Sequence, residues 1–409
     1  MKIQSVEVKN FKSLSSLKVS GFKNANFIFG FNNSGKSNFL KFLEILFSRK
    51  TIETSESYVD DEGIKRTRRK VEANTPFWEG YIYDMPFLFH KDKRNKNIEF
   101  LVRLELNKNE IPNKELLLEH GYLYANRDVV VLSIEGIIKS LSQSQSELLL
   151  TEAKLKGKTI YSNPTMTKGG GKFFESATQG SVLETNAADN FNSVLDLLND
   201  SVLLIESDRF FNREIETKNM VEFNSKNFKS WLYDQYMDSD KFERHVELLK
   251  FLNEFKLTSI VQASLKDNLD SFPFRKTQLT FSKFKDELEA MLNNKFGRFP
   301  LKNFGTGIQQ IFYILSKIFD TKSKIVLIEE LELNLSPEYQ ELMINNLQEL
   351  LQNQEKIEQV FFTSHSDYLY RRDFKVFEMS IDDMGYSFLN PSNKKRMKDM
   401  RRTLLRPNH

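Results

Sequence analysis

No cysteine occurs anywhere in the 409 residues of this chain. Disulfides, thiolate metal sites and cysteine nucleophiles are excluded together, and oxygen and nitrogen groups must carry any chemistry, as suits a reducing compartment. Also missing is any apolar run near the roughly 18 residues that a membrane span requires. The amino terminus carries Lys2 and alternating polar residues where a signal peptide has an apolar core. These absences predict a cytoplasmic chain without membrane contact. Charge of one sign is scarce as well: a formal net charge of +3 gives the composition no mandate for nucleic acid. The excess is local. Between Pro391 and His409, the cations Lys394, Lys395, Arg396, Lys398, Arg401, Arg402 and Arg406 face a single acid, Asp399. Such a run reads either as a solvated tail or as a contact for a phosphate backbone or a partner. No internal repeat and no sustained heptad is present, which argues against a solenoid and a long coiled-coil arm.

What is there is enough for a core. With 40% hydrophobic and 28% charged residues, the chain should fold into two or three lobes. Ile3, Val6 and Val8 alternate and lead to a short buried strand, Phe27-Ile28-Phe29. A glycine-containing loop follows, and then a helical apolar pattern through Phe39, Leu40, Leu43 and Phe47. Arg49 to about Thr75 is polar without a period and reads as an exposed excursion. Ile98 to Leu106 alternates like an antiparallel strand with one wet face, with further strands at Val129 to Leu132, Leu148 to Leu155, Thr159 to Tyr161 and Val202 to Ile205. Gly169-Gly170-Gly171 suggests a flexible loop. From about Phe210 to Leu292, steps of three and four residues (Phe242, Val246, Leu249, Phe251, Leu252, Phe255) predict a helical lobe. Buried strands resume at Ile325 to Ile328, Val360 to Phe362 and Val376 to Met379, separated by a helix that Ser336 caps with Pro337 in its first turn.

Chemistry concentrates in two of these junctions. Gly30-Phe31-Asn32-Asn33-Ser34-Gly35-Lys36-Ser37 fills the G-x-x-x-x-G-K-[ST] pattern of a phosphate-binding P-loop, between a strand and a helix. The glycines let backbone N–H groups turn toward the phosphates of ATP, Lys36 neutralises β/γ-phosphate charge, and the Ser37 hydroxyl is a Mg²⁺ ligand. Ile325-Val326-Leu327-Ile328-Glu329-Glu330 supplies the acidic strand end such a loop needs. Glu329 is placed beside the magnesium, and Glu330 as the general base that orients the attacking water.

A family resemblance rests on these segments and four others. Val8-Lys9-Asn10-Phe11-Lys12-Ser13-Leu14, together with the Asn32-Asn33-Ser34 loop interior and trailing Asn38, resembles the head of RecF-type, SMC-type and OLD-family ABC ATPases. Phe304-Gly305-Thr306-Gly307-Ile308-Gln309-Gln310 is similar to the signature loop of the OLD-like branch, Glu329 to Pro337 to its Walker B and D-loop, and Thr363-Ser364-His365-Ser366 to its switch-histidine motif. Ile205-Glu206-Ser207-Asp208-Arg209 resembles a strand-end arginine segment of these proteins. The chain departs from the pattern in having Glu329 where aspartate is usual, and Leu331 and Ser336 where the branch often has proline and histidine. The motifs cover the two ends of the chain and not its middle.

The resemblance implies an α/β fold: an ABC-type ATPase head with a mixed parallel sheet, an antiparallel β-subdomain and an inserted helical lobe. The implied division is 1–209 for the first half of the head with the β-subdomain, 210–298 for the helical lobe, 299–390 for the second half of the head and 391–409 for the basic tail. It also implies a homodimer or higher homo-oligomer in which Thr306 and Gly307 of one copy close on the γ-phosphate held by the other. A glycine-flanked hydroxyl opening a helix is an anion site in its own right, although alone it would be an ordinary helix start. His365, alone an ordinary loop histidine, is implied to bond the γ-phosphate or the water. The long separation of Gly30 from Gly307 argues against a transporter subunit, and the lack of an acidic two-metal cluster after His365 argues against nuclease action in cis. The expected function is that of an ATPase regulating a separate effector, a nuclease or toxin, in bacterial antiphage defence. The alternatives are a RecF-like repair ATPase that clamps DNA, and a nucleotide-gated scaffold with negligible turnover.

Overall fold

The computed structural model describes residues 1–48, 51–59, 65–73, 79–83, 88–142, 145–162, 193–207, 209, isolated positions between 228 and 248, 278–284, 287–294, 297–300, 305–353, 356–393 and 395–399. The chain opens with β1 (Lys2–Phe11), β2 (Leu14–Ser20), β3 (Ala25–Gly30) and helix α1 (Lys36–Phe47). There follow β4 (Thr51–Val59), β5 (Lys65–Ala73), β6 (Glu79–Tyr83), β7 (Ile98–Asn107), the short α2 (Lys114–Glu119), β8 (Val129–Ser140), β9 (Gln145–Leu155) and β10 (Lys158–Ser162). After β11 (Val202–Ile205) come β12 (Gln278–Phe284), β13 (Glu287–Asn294) and β14 (Gly297–Pro300). The last part runs α3 (Thr306–Asp320), β15 (Ile325–Ile328), α4 (Pro337–Asn353), β16 (Gln359–Ser364), β17 (Lys375–Ile381) and β18 (Ser387–Pro391).

Two large sheets organise these elements. One is antiparallel, in the order β2-β1-β7-β8-β9-β6-β4-β5, with β10 paired to β9. The other runs β11-β15-β16-β3-β17-β18, and every neighbouring pair in it is parallel except β17 with β18. Parallel strands need both faces covered, and β3, β15 and β16 are accordingly buried along their whole length. Alternation then decides which cover each residue meets. Ile28 and Phe361 face a core shared with α1 and the antiparallel sheet, whereas Phe27, Phe29 and Phe362 face a second core with α3 and α4. Phe27 and Phe362 are register partners with rings stacked 5.1 Å apart.

α1 is therefore a middle layer. Phe42 packs edge-on against Phe11 (5.4 Å) and Phe100 (6.4 Å) of the antiparallel sheet, while Phe39 meets Phe361 of the parallel sheet at 6.4 Å. A helix apolar on two sides is one that is buried on two sides. α4 begins as its sequence predicts, with Pro337 in the first turn and the Ser336 hydroxyl accepting the Tyr339 N–H at 3.5 Å.

Two expectations need correction. The stretch from Arg49 to Thr75 holds the hairpin β4–β5, which pairs from Thr51↔Ala73 to Val59↔Lys65. Its strands, TIETSESYV and KRTRRKVEA, are polar at most positions, so no apolar alternation marks them and the backbone ladder defines them. The helical lobe expected over 210–298 gives way at its end to the antiparallel sheet β12-β13-β14. Leu288, Ala290 and Leu292 step by two, the strand period, and also fit steps of three and four through Met291, so the short pattern satisfies both periods. The rest of that lobe, apart from a few helical positions such as Phe228, Trp231 and Leu248, lies outside the described residues. So do Gly169 to Gly171 and the tail beyond Asp399. Within the tail, 395–399 is helical, and Arg396 pairs with Glu378 at 2.9 Å.

Phe42→Ala should cost about 3–5 kcal/mol of stability, because it empties the contact between α1 and the antiparallel sheet. A urea midpoint unchanged from wild type would contradict the middle-layer position of α1.

Candidate functional site

Parallel strands deliver their carboxyl ends to one edge, and the predicted chemistry collects there. β3 ends at Gly30, β15 runs into Glu329 and Glu330, β16 ends just before His365, and β11 leads to Glu206, Ser207 and Arg209. At this edge lies a cavity of about 570 Å³, lined by Asn32, Asn33, Ser34, Gly35, Lys36, Ser37, Asn38 and Glu330. A larger one, about 710 Å³, opens at the amino edge of the same sheet among Lys23, Asn24, Ala25 and Gln359, and contains none of the predicted site residues.

The loop owes its shape to two backbone demands. Asn33 has φ 60° and Gly35, the residue before α1, has φ 101°. No side chain caps the helix start. Its first N–H groups are thus disposed toward an anion in the cavity. Lys36 is only 7% exposed, and its ammonium donates to the carbonyls of Gly30 (3.0 Å) and Phe31 (2.8 Å). Burial lowers its pKa to about 8, opposed by the carboxylates of Glu330 and Glu332.

Glu329 and Glu330 lie in different surroundings. Burial pushes the Glu329 carboxyl above the usual range, against hydrogen bonds from the Ser207 N–H (3.3 Å) and the Ser37 hydroxyl. A hydroxyl and a desolvated carboxylate in contact are the hard oxygen donors that suit Mg²⁺, whose charge would relieve the burial of Glu329. Among the described residues no group of three or more His, Asp or Glu forms a metal cluster. Glu330 faces the cavity from a left-handed backbone, φ 43°, unusual for glutamate. Its N–H donates to Thr363 Oγ1 at 2.9 Å.

Arg209, braced by Gln310, holds this strand end. Arg209, 1% exposed, donates from one guanidinium nitrogen to the carbonyls of Glu329 (3.1 Å) and Glu330 (2.8 Å), and its own carbonyl accepts Gln310 Nε2 at 2.8 Å. Burial lowers its pKa to about 10, so it remains a cation at neutral pH. Glu332, absent from the expected site, accepts the His365 N–H at 2.6 Å. The His365 ring, at an exposed residue, hydrogen-bonds the Gly30 backbone, and partial desolvation followed by the Lys36 charge lowers its pKa. Glu332 was visible only as one more acid in Glu329-Glu330-Leu331-Glu332, and Thr363 only as the residue before Ser364. Neither carries a signal of its own.

Thr306 and Gly307 are not in the cavity. They open α3, Thr306 is exposed, and a methyl on Gly307 would sit 3.0 Å from the Asn334 carbonyl and 3.2 Å from the Tyr339 ring. The signature segment thus borders the loop after Glu330 and presents its hydroxyl outward.

Residues 1–370 match the family model described as an AAA ATPase domain. An ATP/GTP phosphatase of Helicobacter pylori (strain ATCC 700392 / 26695) is 24% identical over 367 residues, which span 89% of this chain and 85% of that protein. Among solved structures, an Smc head bound to the C-winged helix domain of ScpA is 13% identical, covering 97% of this chain and 99% of that one at a TM-score of 0.49. The SMC head domain from Thermotoga maritima is 10% identical, covering 96% and 100%, at a TM-score of 0.43.

The Lys36 shift makes a prediction with a definite sign. Phosphate favours the ammonium form, which the free protein loses as pH rises through about 8. Affinity for MgATP should fall roughly fivefold from pH 8 to pH 9, with proton uptake on binding. Calorimetry in buffers of different ionisation enthalpy reads both quantities. Lys36→Arg, cationic throughout, should flatten the profile; equal profiles for the two proteins would rule the shift out.

Proposed function

The chain belongs to the AAA ATPase domain family, and from that premise we propose that it hydrolyses ATP at a site completed by a second copy of itself. The pairing driven by ATP governs a separate effector, a nuclease or toxin, in bacterial antiphage defence. One observation carries the composite site: the groups that serve the phosphates converge in the cavity, while the exposed Thr306 at the start of a 15-residue helix lies outside it. An anion site that its own loop does not use fits the γ-phosphate held by a partner. The ATP/GTP phosphatase named among the relatives supports turnover. The effector and the defence role rest on the resemblance to OLD-like ATPases.

The chemistry follows from the side chains. The loop N–H groups and Lys36 hold the β- and γ-phosphates. Ser37 and Glu329 would hold Mg²⁺, which when bound supplies positive charge to the phosphate oxygens. Glu330 orients a water toward the γ-phosphorus and takes its proton. The water oxygen bonds to phosphorus as the bond from phosphorus to the β–γ bridging oxygen breaks, leaving ADP and phosphate. His365, held by Glu332 and beside Gly30, hydrogen-bonds the γ-phosphate. Arg209 keeps Glu330 in its strained backbone position.

Glu330→Gln should lower kcat by about 10²-fold or more and accumulate an ATP-bound dimer on size-exclusion chromatography. Unchanged turnover would remove Glu330 as base. Thr306→Glu should abolish activity by setting a carboxylate against the partner's γ-phosphate, and mixing it with Lys36→Ala should restore at most one working site per dimer. Full activity of Thr306→Glu alone would sink the composite site. Turnover stimulated by DNA with a steep salt dependence would transfer support to a DNA clamp.

A further inference from the structure

The wall behind the phosphate loop is built from groups outside the ATP-binding motifs. A methyl on Gly35 would lie 2.3 Å from Ser387 Oγ and 2.8 Å from Ser13 Oγ, so these two hydroxyls occupy the space against which the loop turns into α1. Ser387 Oγ donates to Ser13 Oγ at 2.7 Å, and Asn38 Nδ2 donates to the same oxygen at 2.8 Å. A hydroxyl oxygen has two lone pairs, and this pair of donors fills both. The turn between β1 and β2, the first turn of α1 and the first residue of β18 thereby meet at one atom, although Ser13 and Ser387 are 374 residues apart. Ser387 is 1% exposed.

We propose that Ser13 and Ser387 form a hydroxyl clasp that positions the phosphate loop and so sets the affinity for nucleotide. The proposal rests on the reading of this loop as the ATP site. Loop N–H groups serve phosphate only while they converge, and a glycine has no side chain with which to fix itself. The clasp supplies the constraint from outside. Its Ser13 end is itself anchored, since the Lys12 N–H donates to the Leu88 carbonyl at 2.7 Å and His90 Nδ1 bonds the Lys12 carbonyl. Its Ser387 end follows Tyr386, whose ring lies 4.9 Å from that of His90. The position of the antiparallel sheet is therefore transmitted to the loop through Ser13. Truncating either hydroxyl leaves the fold in place, because the Ser387 N–H still donates to the Ser13 carbonyl (2.9 Å) and β17 still pairs with β18.

The test uses the full chain with MgATP, reading Kd by calorimetry, KM and kcat by phosphate release, and the urea midpoint. Ser387→Ala should raise Kd and KM about five- to tenfold, the size of one neutral hydrogen bond, and Ser13→Ala, which also removes the acceptor of Asn38, at least as much, each with kcat within about twofold. The double variant should be no worse than Ser13→Ala, because the bond that Ser387→Ala breaks is already lost there. Ser13→Thr, which keeps the hydroxyl, should restore wild-type Kd. Wild-type Kd in both single variants, or losses that multiply in the double variant, would overturn the clasp. Failure of the wild-type chain to bind MgATP would overturn the ATP site itself, and the clasp with it.

Discussion

The placement of α1 between two sheets is the constraint on which the rest depends. No side chain caps its first turn, as the proposed contact of its N–H groups with phosphate requires, and Gly35 supplies the left-handed entry to the helix. A helix start stripped of its cap has to be held elsewhere. Phe42 against Phe11 and Phe100 on one side, and Phe39 against Phe361 on the other, provide that hold. Because the same helix touches both sheets, the phosphate loop takes its position from each of them.

The acidic strand end faces the opposite difficulty, too much charge under too little water. Glu329 is buried enough to resist ionisation, Glu330 sits in an uncomfortable backbone conformation, and Glu332 lies close by. Arg209 answers both problems. Its cation lies near all three carboxylates, while its N–H groups bind the Glu329 and Glu330 carbonyls and so fix the chain where it is least relaxed. Gln310, on the helix that Thr306 opens, holds the Arg209 carbonyl in turn. Arg209 thus links the helix that Thr306 opens to the acidic strand end.

Local rules made a large part of this legible in advance. The P-loop could be read because its chemistry needs fixed residue types at fixed spacing, and the buried strands at 27–29, 325–328 and 360–362 because an apolar run bounded by loops has few other uses. The hairpin of β4 and β5 was not legible. Its strands are polar at most positions and carry no apolar alternation, so only the backbone register marks them. The sheet of β12 to β14 was not legible either, because a short apolar pattern satisfies two periods at once.

The sequence by itself determined the phosphate loop, the acid pair at Glu329 and Glu330, and the alternating strands, because each is set by neighbours within a few residues. Only the tertiary structure decided which groups surround them. Arg209 over the acid pair, Glu332 beneath His365, and Ser13 with Ser387 behind Gly35 join residues between 33 and 374 positions apart. Segments holding Arg209 and Ser13 stood out by resemblance, but nothing adjacent in the chain names the groups that each will meet. Sheet order brings them together, and sheet order is a property of the packed layers and not of any one segment.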